Sequence, residues 1–413
     1  MIRGRCDYRL LASKTILNKG DDDEFECIGY QRNIVKSTIT HILAVIFLGL
    51  PYLIGHWKPE WAVNWYRSQC SLFHADTVLI KSKNDQDTNP ACVVKIIVQQ
   101  VSENFMLQSF IHRTDDFNDE ISSSSSEGSD RDPLWFPSKH TFRYFVHHHC
   151  KYVWSGKDKT YTRLHGLDKN TKLHLFNEQF SHGLNEDSRI ARQILYGANS
   201  IDVEVKSYLR LLFEEVLNAF YIFQIGSITL WSFDQYYYYA ACIAFISLVS
   251  VVVSLLETRR QSQSLHDMVA MSNQSTAQVL RSRQIQEVSS TDLVPGDVLV
   301  IPSHGCIMPC DAVLLAGTCI VNESMLTGES VPVMKSALPH ADASDEDDEY
   351  DPERHKRHTL FSGTDVIQTR YYGESRVLAV VVRTGFDTAK GSLVRSILYP
   401  KPIGFKFERD SKW

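Results

Sequence analysis

The chain has 413 residues, with 43 basic and 49 acidic side chains for a net charge of -6, and is 43% hydrophobic and 22% charged. That length has room for several domains, and the composition is globular, which excludes wholesale disorder and fibrous repeats. A slightly acidic chain without a long Lys/Arg run also lacks the basic surface that nucleic-acid phosphates require, so no nucleic-acid partner is expected.

Residues 1-37 mix Arg3, Arg5 and Arg9 with the acidic run Asp21 to Glu24 and hold no apolar signal-peptide core; they read as a cytosolic tail. Residues 38-57 contain the apolar stretch Ile39 to Ile54, interrupted by Gly49 and Pro51. At ~1.5 Å per residue it reaches ~24 Å, against a hydrocarbon core of ~30 Å. Arg32 and Lys36 precede it and Lys58 follows, so positive charge flanks both ends. A re-entrant or interfacial segment is preferred to a full crossing.

Residues 58-207 alternate in Cys92 to Val98 and Thr141 to Val146 and carry a helical segment, Leu184 to Tyr196, which suits a small α+β domain. The acidic, serine-rich stretch 115-132 reads as a disordered, solvated insertion. His147, His148, His149 and Cys150 invite a metal reading. Adjacent strand residues point to alternate faces, however, and no second ligand cluster has matching spacing. A strand end is the preferred reading, and no metal ligand is assigned.

Two longer apolar stretches, Leu211 to Trp231 and Tyr239 to Leu256, predict spanning helices over 208-232 and 236-256. Lys206 and Arg210 precede the pair, Arg259 and Arg260 follow it, and the link between them has no Lys or Arg. A helical hairpin with both ends cytosolic follows. Tyr236 to Tyr239 with Trp231 suit either the far membrane interface or an ordinary core. Glu214 and Glu215 either reach the near interface or, if deeper, are functional candidates.

Residues 257-400 open with a polar run, Glu257 to Gln284, read as a helix leaving the membrane. Short β-branched segments follow at Val298 to Ile301, Ala312 to Leu315 and Val377 to Val382, and predict a β-rich domain. Its long interruption, 336-358, is a charged loop by composition, and 401-413 reads as a lead-in to a further membrane helix. Between strands lies Thr327-Gly328-Glu329-Ser330. One carboxylate, two hydroxyls and a glycine can hold a water in line with phosphorus and accept its proton, help worth ~100- to 10,000-fold. Alone, the tetrapeptide is weak evidence, and the alternative is a plain polar β-turn.

Its surroundings carry a resemblance. Leu293-Val294-Pro295-Gly296-Asp297, Met308-Pro309-Cys310-Asp311-Ala312, Leu326 to Ser330 and Arg383-Thr384-Gly385-Phe386 resemble the actuator domain of P-type ATPases. Gly183-Leu184 through Tyr196-Gly197-Ala198-Asn199 resembles the segment before their first transport helix. Glu215 to Asn218 with Phe220 to Gln224, Lys356 to Phe361 and Ile397 to Pro402 resemble the type V, subgroup B branch of polyamine-transporting ATPases. The resemblance implies that the Thr327–Ser330 loop docks at a phosphorylated aspartate, with Glu329 directing the hydrolytic water and Thr327, Gly328 and Ser330 shaping the loop. It also implies a multi-pass membrane protein of endosomes or lysosomes with cytosolic soluble domains, moving a polyamine or cation with ATP and Mg2+. Ala219 stands where that family often has proline, which implies a straighter first span.

The sequence contains no Asp-Lys-Thr-Gly-Thr phosphorylation motif, nucleotide domain or proline-rich substrate helix. The 413 residues alone are therefore expected to bind neither ATP nor Mg2+ and not to turn ATP over. The expected fold is an α-helical membrane hairpin with an α+β N-terminal domain and a β-rich actuator domain. The expected function is that of the N-terminal part of such a transporter, in contact with the lipid bilayer; the alternative is a non-catalytic regulator docking on a full-length relative.

Overall fold

The computed structural model of the chain describes residues 13–19, 23–47, 49–82, 92–100, 141–156, 159–169, 171–173, 176, 180, 183–202, 207–216, 219–273, 275–339, 349–370 and 376–399. The 115-132 insertion and the 401-413 lead-in lie outside the described residues, as do Lys206, the side chains of Glu214 and Glu215, and 340-348 of the charged loop. Two compact units result, one of residues 1–37, 63–200 and 273–413, the other of 38–62 and 201–272.

The first unit begins with β1 (Lys14–Leu17), β2 (Phe25–Arg32), β3 (Arg67–Gln69), β4 (Thr77–Ser82) and β5 (Cys92–Lys95), an antiparallel sheet ordered β1-β2-β4-β5 with β3 also on β2. Strands β6 (Ile97–Gln100), β7 (Thr141–His147), β8 (Cys150–Ser155) and β9 (Thr160–Arg163) form a second, up-and-down sheet. Period-2 alternation sends one face of each inward. Cys27, Val78 and Ile80 of the first sheet thus share a core with Phe145, Tyr152 and Tyr161 of the second. The helix Glu186–Tyr196, capped by the Asn185 side chain on the Glu186 amide, packs Ala191 and Leu195 against Phe142 and Val153. At its C-terminal end Lys151 Nζ donates to the carbonyls of Leu195 (2.7 Å) and Ile194 (3.3 Å), a cation where the helix dipole is negative.

The β-rich domain contains β10 (Thr276–Arg281), β11 (Gln284–Ser289), β12 (Val298–Ile301), β13 (Cys306–Ile307), β14 (Asp311–Ala316), β15 (Thr318–Asn322), β16 (Val333–Ser336), β17 (Thr359–Leu360), β18 (Asp365–Arg370) and β19 (Val377–Arg383). A six-stranded sheet ordered β11-β10-β12-β19-β14-β17 faces a four-stranded sheet ordered β13-β18-β15-β16. Leu299, Leu314 and Val381 from the first meet Cys319, Val321 and Val366 from the second. The alternate residues of the large sheet, Val298, Val313, Val380 and Val382, are covered on the other side by Leu173, Phe176, Phe180 and Leu184. The central strands are therefore buried on both faces, which is why Val298 to Ile301 and Val377 to Val382 are continuous apolar runs rather than alternating ones.

The polar run does not stay helical to Gln284. The helix Tyr237–Asn273 ends eleven residues earlier, and β10 and β11 pair as a hairpin with Arg281 opposite Gln284. Ser282 and Arg283, at φ 47° and 64°, form the two-residue turn whose twist matches the flanking strands.

In the second unit the helix Ile34–Ile46 and the helix Leu50–Trp57 meet at 116°. Gly49 supplies the left-handed φ of 86° at the corner and Pro51 opens the second helix, so the two residues that interrupt the apolar stretch are those that bend it. Ile42, Val45, Ile46, Phe47 and Leu50 around this corner are exposed. Helices Tyr208–Val216 and Ala219–Phe233 flank Leu217 and Asn218, which lie outside the described residues, as does the straightness expected at Ala219. Tyr221 faces Ser250 (hydroxyl oxygens 3.3 Å apart) and the Arg259 guanidinium lies 3.6 Å from the Tyr208 ring centre, so the last two helices run antiparallel. Tyr236 to Tyr239 are exposed at the connecting turn, which removes the ordinary-core reading. Among the described residues, one helix, Tyr237–Ser264, is by length and composition sufficient to cross a membrane, with only 11% of its most apolar stretch buried. The apolar helix Phe220–Phe233 is shorter, so two spans do not follow from helix length alone.

Candidate functional site

Strand β15 runs out at Asn322, whose Oδ1 accepts from the Ser324 amide at 3.0 Å and starts the one-turn helix Ser324–Thr327. Gly328 ends it in the left-handed region (φ 78°), its amide donating to Ser324 O at 3.0 Å. Thr327 fixes the turn from within. Its hydroxyl donates to Glu323 O (3.2 Å) and accepts from the Glu329 amide (3.2 Å). Thr327, Gly328, Glu329 and Ser330 are all exposed, and the chain returns as β16, with Val321 opposite Val333.

The four residues singled out in the sequence are thus together on one protruding loop. Glu329 stands in solvent rather than in a cleft of its own domain. A Cβ placed on Gly328 would meet nothing within 4 Å, so glycine there serves the backbone conformation and leaves the loop tip bare for whatever approaches it.

The motifs around the loop build the fold rather than the chemistry. Asp297, fully buried, accepts from Arg281 Nε (2.9 Å) and Nη2 (2.7 Å) and from the Val294 amide (3.0 Å). Asp311, also fully buried, accepts from Arg383 Nε (2.9 Å) and the amides of Ser362 and Ala389 (2.8 Å each). Burial pushes the Asp311 carboxyl up from its usual range, against the opposing pull of Arg383. Asn199 uses its whole amide: it donates to Ser290 O (2.8 Å) and Pro309 O (3.1 Å) and accepts from the Gly385 amide (2.8 Å). The segment before the helix Tyr208–Val216 is thereby stitched to the β-rich domain.

His148 and His149 form a two-residue hairpin turn between β7 and β8 (φ 47° and 61°), with His147 opposite Cys150. The rings are engaged in stacking: His148 on Tyr399 (4.1 Å between ring centres) and His149 on Phe386 (4.0 Å), while Arg395 donates to the Cys150 sulfur. Among the described residues, no group of three or more His, Cys, Asp or Glu side chains is placed to hold a metal ion. Two groups near the loop escaped the sequence reading: Glu323 at its start, and Lys335, buried on β16. A lysine in a strand reads as solvated by default, so only its burial exposes it.

Residues 271–398 match the family model for the P-type ATPase actuator domain, 21–155 that for the P5-type ATPase cation transporter, and 164–231 that for the cation transporter/ATPase N-terminus. Among curated proteins, the chain is 43% identical to the polyamine-transporting ATPase 13A3 of Homo sapiens over 96% of its own length and 33% of that protein's. It is 41% identical to the polyamine-transporting ATPase 13A2 of Mus musculus (90% and 32%). To the probable cation-transporting ATPase 13A4 of Homo sapiens it is 36% identical (96% and 32%). The chain spans about a third of the length of the curated relatives it matches.

Proposed function

The chain belongs to the P-type ATPases, corresponding to the N-terminal portion of a type V, subgroup B member, and from that premise we propose that its Thr327–Ser330 loop hydrolyses the aspartyl-phosphate of an ATP-driven polyamine or cation transporter. The observation that carries this reading is the exposure of Glu329 on a loop tied down from inside by Thr327, with open space at Gly328. A carboxylate so held can enter another domain's site, orient a water toward phosphorus and take its proton. Thr327 keeps the turn closed, and Gly328 and Ser330 allow approach on either side of Glu329.

ATP and Mg2+ belong, in this reading, to domains outside these 413 residues. No step on this chain is routed through them, and the chain alone is expected not to turn over ATP. In a membrane, Tyr208–Phe233 and the apolar part of Tyr237–Asn273 form the two-span hairpin, the bent pair at Gly49 enters without crossing, and the soluble parts lie on the cytosolic side of an endosomal or lysosomal membrane. The basic residues Arg210, Arg259 and Arg260 at the hairpin's open end support that orientation. No observation favours the separate regulator.

Substituting Glu329→Gln in the full-length enzyme tests the reading. Acid-stable phosphoenzyme should form from ATP at the normal rate and then decay ~100- to 10,000-fold more slowly. Decay at the wild-type rate would overturn it.

A further inference from the structure

Beneath the exposed loop lies a charged pair with no part so far in the chemistry. Lys335 is only 2% exposed, and its ammonium sits 2.6 Å from Glu323 Oε1. The contact is an attraction of charges without hydrogen-bond alignment at that oxygen; the ammonium donates instead to Lys356 O at 2.8 Å, with the Phe361 ring centre 5.3 Å away. An ammonium at that depth is tolerated only with a compensating anion, and Glu323, itself 9% exposed, is that anion.

The pair closes the base of the loop. The chain departs β15 through Glu323 and returns along β16, where Lys335 pairs in register with Cys319. From Glu323 a continuous path leads to the tip: its carbonyl accepts from the amides of Leu326 (2.9 Å) and Thr327 (3.0 Å) and from Thr327 Oγ1 (3.2 Å). Thr327 Oγ1 in turn accepts from the Glu329 amide. Beyond Thr327 the tip is bare, so the aim of Glu329 is set from Glu323 outward.

We propose that the buried Lys335–Glu323 ion pair is the positioning device of the hydrolytic loop, fixing the carbonyl on which Thr327, and through it Glu329, is hung. This rests on Glu329 being the carboxylate that orients the water. The pair lies at the base of the loop rather than at its tip, so it acts by geometry, and a displacement of ~1 Å at a reacting group can cost ~100-fold in rate.

The test is phosphoenzyme decay in the full-length enzyme. In Lys335→Met, phosphoenzyme should form from ATP as in wild type and decay ~10- to 100-fold more slowly, while Lys335→Arg, which keeps the cation, should stay within about threefold of wild type. Because the pair acts through Glu329, the double variant Lys335→Met/Glu329→Gln should decay no more slowly than Glu329→Gln alone. Decay of Lys335→Met within about twofold of wild type, or a slowing that multiplies with that of Glu329→Gln, overturns the proposal. If Lys335→Met yields no folded enzyme, Glu323→Gln decides: it keeps the carbonyl and the side-chain size while removing the charge, and unchanged decay there overturns the proposal equally. Slow decay in Glu329→Gln with normal decay in the pair variants sinks the positioning role alone; normal decay in Glu329→Gln sinks the reading of Glu329 and the positioning role with it.

Discussion

Two glycines of the chain have the same sign of φ for different reasons. Gly328 (φ 78°) has open space around it, whereas a Cβ on Gly183 (φ 74°) would overlap the carbonyl oxygen of Leu280 on β10. Alanine at either position carries the left-handed penalty of ~1-2 kcal/mol, but only at Gly183 is backbone overlap added. Gly328→Ala should therefore lower the unfolding free energy by no more than ~2 kcal/mol while slowing phosphoenzyme decay, and Gly183→Ala should cost ~3 kcal/mol or more. Urea unfolding of the two variants in detergent, with decay measured on Gly328→Ala in the full-length enzyme, separates the two cases; equal losses of stability would count against it. The tip of the loop was legible because it consists of four consecutive residues. Its base was not, because Glu323 and Lys335 are brought together only when β15 and β16 pair, and neither residue type announces burial.

At the scale of elements, β5, β6, β7, β12, β14 and β19 were readable from period or from β-branched runs, and the helices of 34–57 and 208–273 from apolar content, whereas β1 and β2 lie in the stretch read as a tail. The failure at 274–284 came from a polar, serine- and glutamine-rich run without Gly or Pro to mark its break, and from a turn made by Ser282 and Arg283, which carry no strong signal for positive φ. The turn at His148 and His149 is hidden in the same way, and it joins two domains. Its ring contacts with Phe386 and Tyr399 bracket the helix Ala389–Leu398. Burial, with the neighbouring His148 adding to it, pulls His147 from 6.5 down to about 3. The folded state thus refuses a proton that the unfolded chain accepts below 6.5, so this contribution to stability is complete above pH 6.5 and is lost as pH falls toward 3. At pH 5 the loss amounts to ~1-2 kcal/mol, at ~1.4 kcal/mol per unit and discounted for the ring's partial exposure. His147→Phe should lack that term. The melting-temperature gap between wild type and His147→Phe should accordingly shift in favour of the variant by several degrees between pH 7 and pH 5, and a constant gap would refute the assignment.

For the molecule as a whole, the order of domains along the chain is not the order of packing. Residues 164–200 precede the helix Tyr208–Val216, yet Leu173, Phe176, Phe180 and Leu184 supply the cover for one face of the large sheet, and Asn199 bridges Ser290, Pro309 and Gly385. Arg163 pairs with Asp387 at 2.8 Å, and the Leu167 amide donates to Val382 O at 2.9 Å. Leu173, Phe176 and Phe180 are apolar in the sequence, but a sequence cannot say which sheet they will cover. Burying each of these four side chains contributes ~1.5-3 kcal/mol, or ~6-12 kcal/mol together, comparable with the ~5-15 kcal/mol by which a whole domain is stable. The β-rich domain should therefore not be an independent folding unit. Residues 273–400 expressed alone should show no cooperative thermal transition, or one at least ~15 °C below that of the same residues joined to 164–200. Adding the 164–200 peptide in trans should restore part of the difference, in proportion to its concentration. If the isolated domain melted cooperatively at the temperature of the joined form, the segment would be an appendage of the sheet rather than part of its core. The contacts of Asn199, Arg163 and Leu167 with the β-rich domain would then be dispensable for holding Glu329 in place.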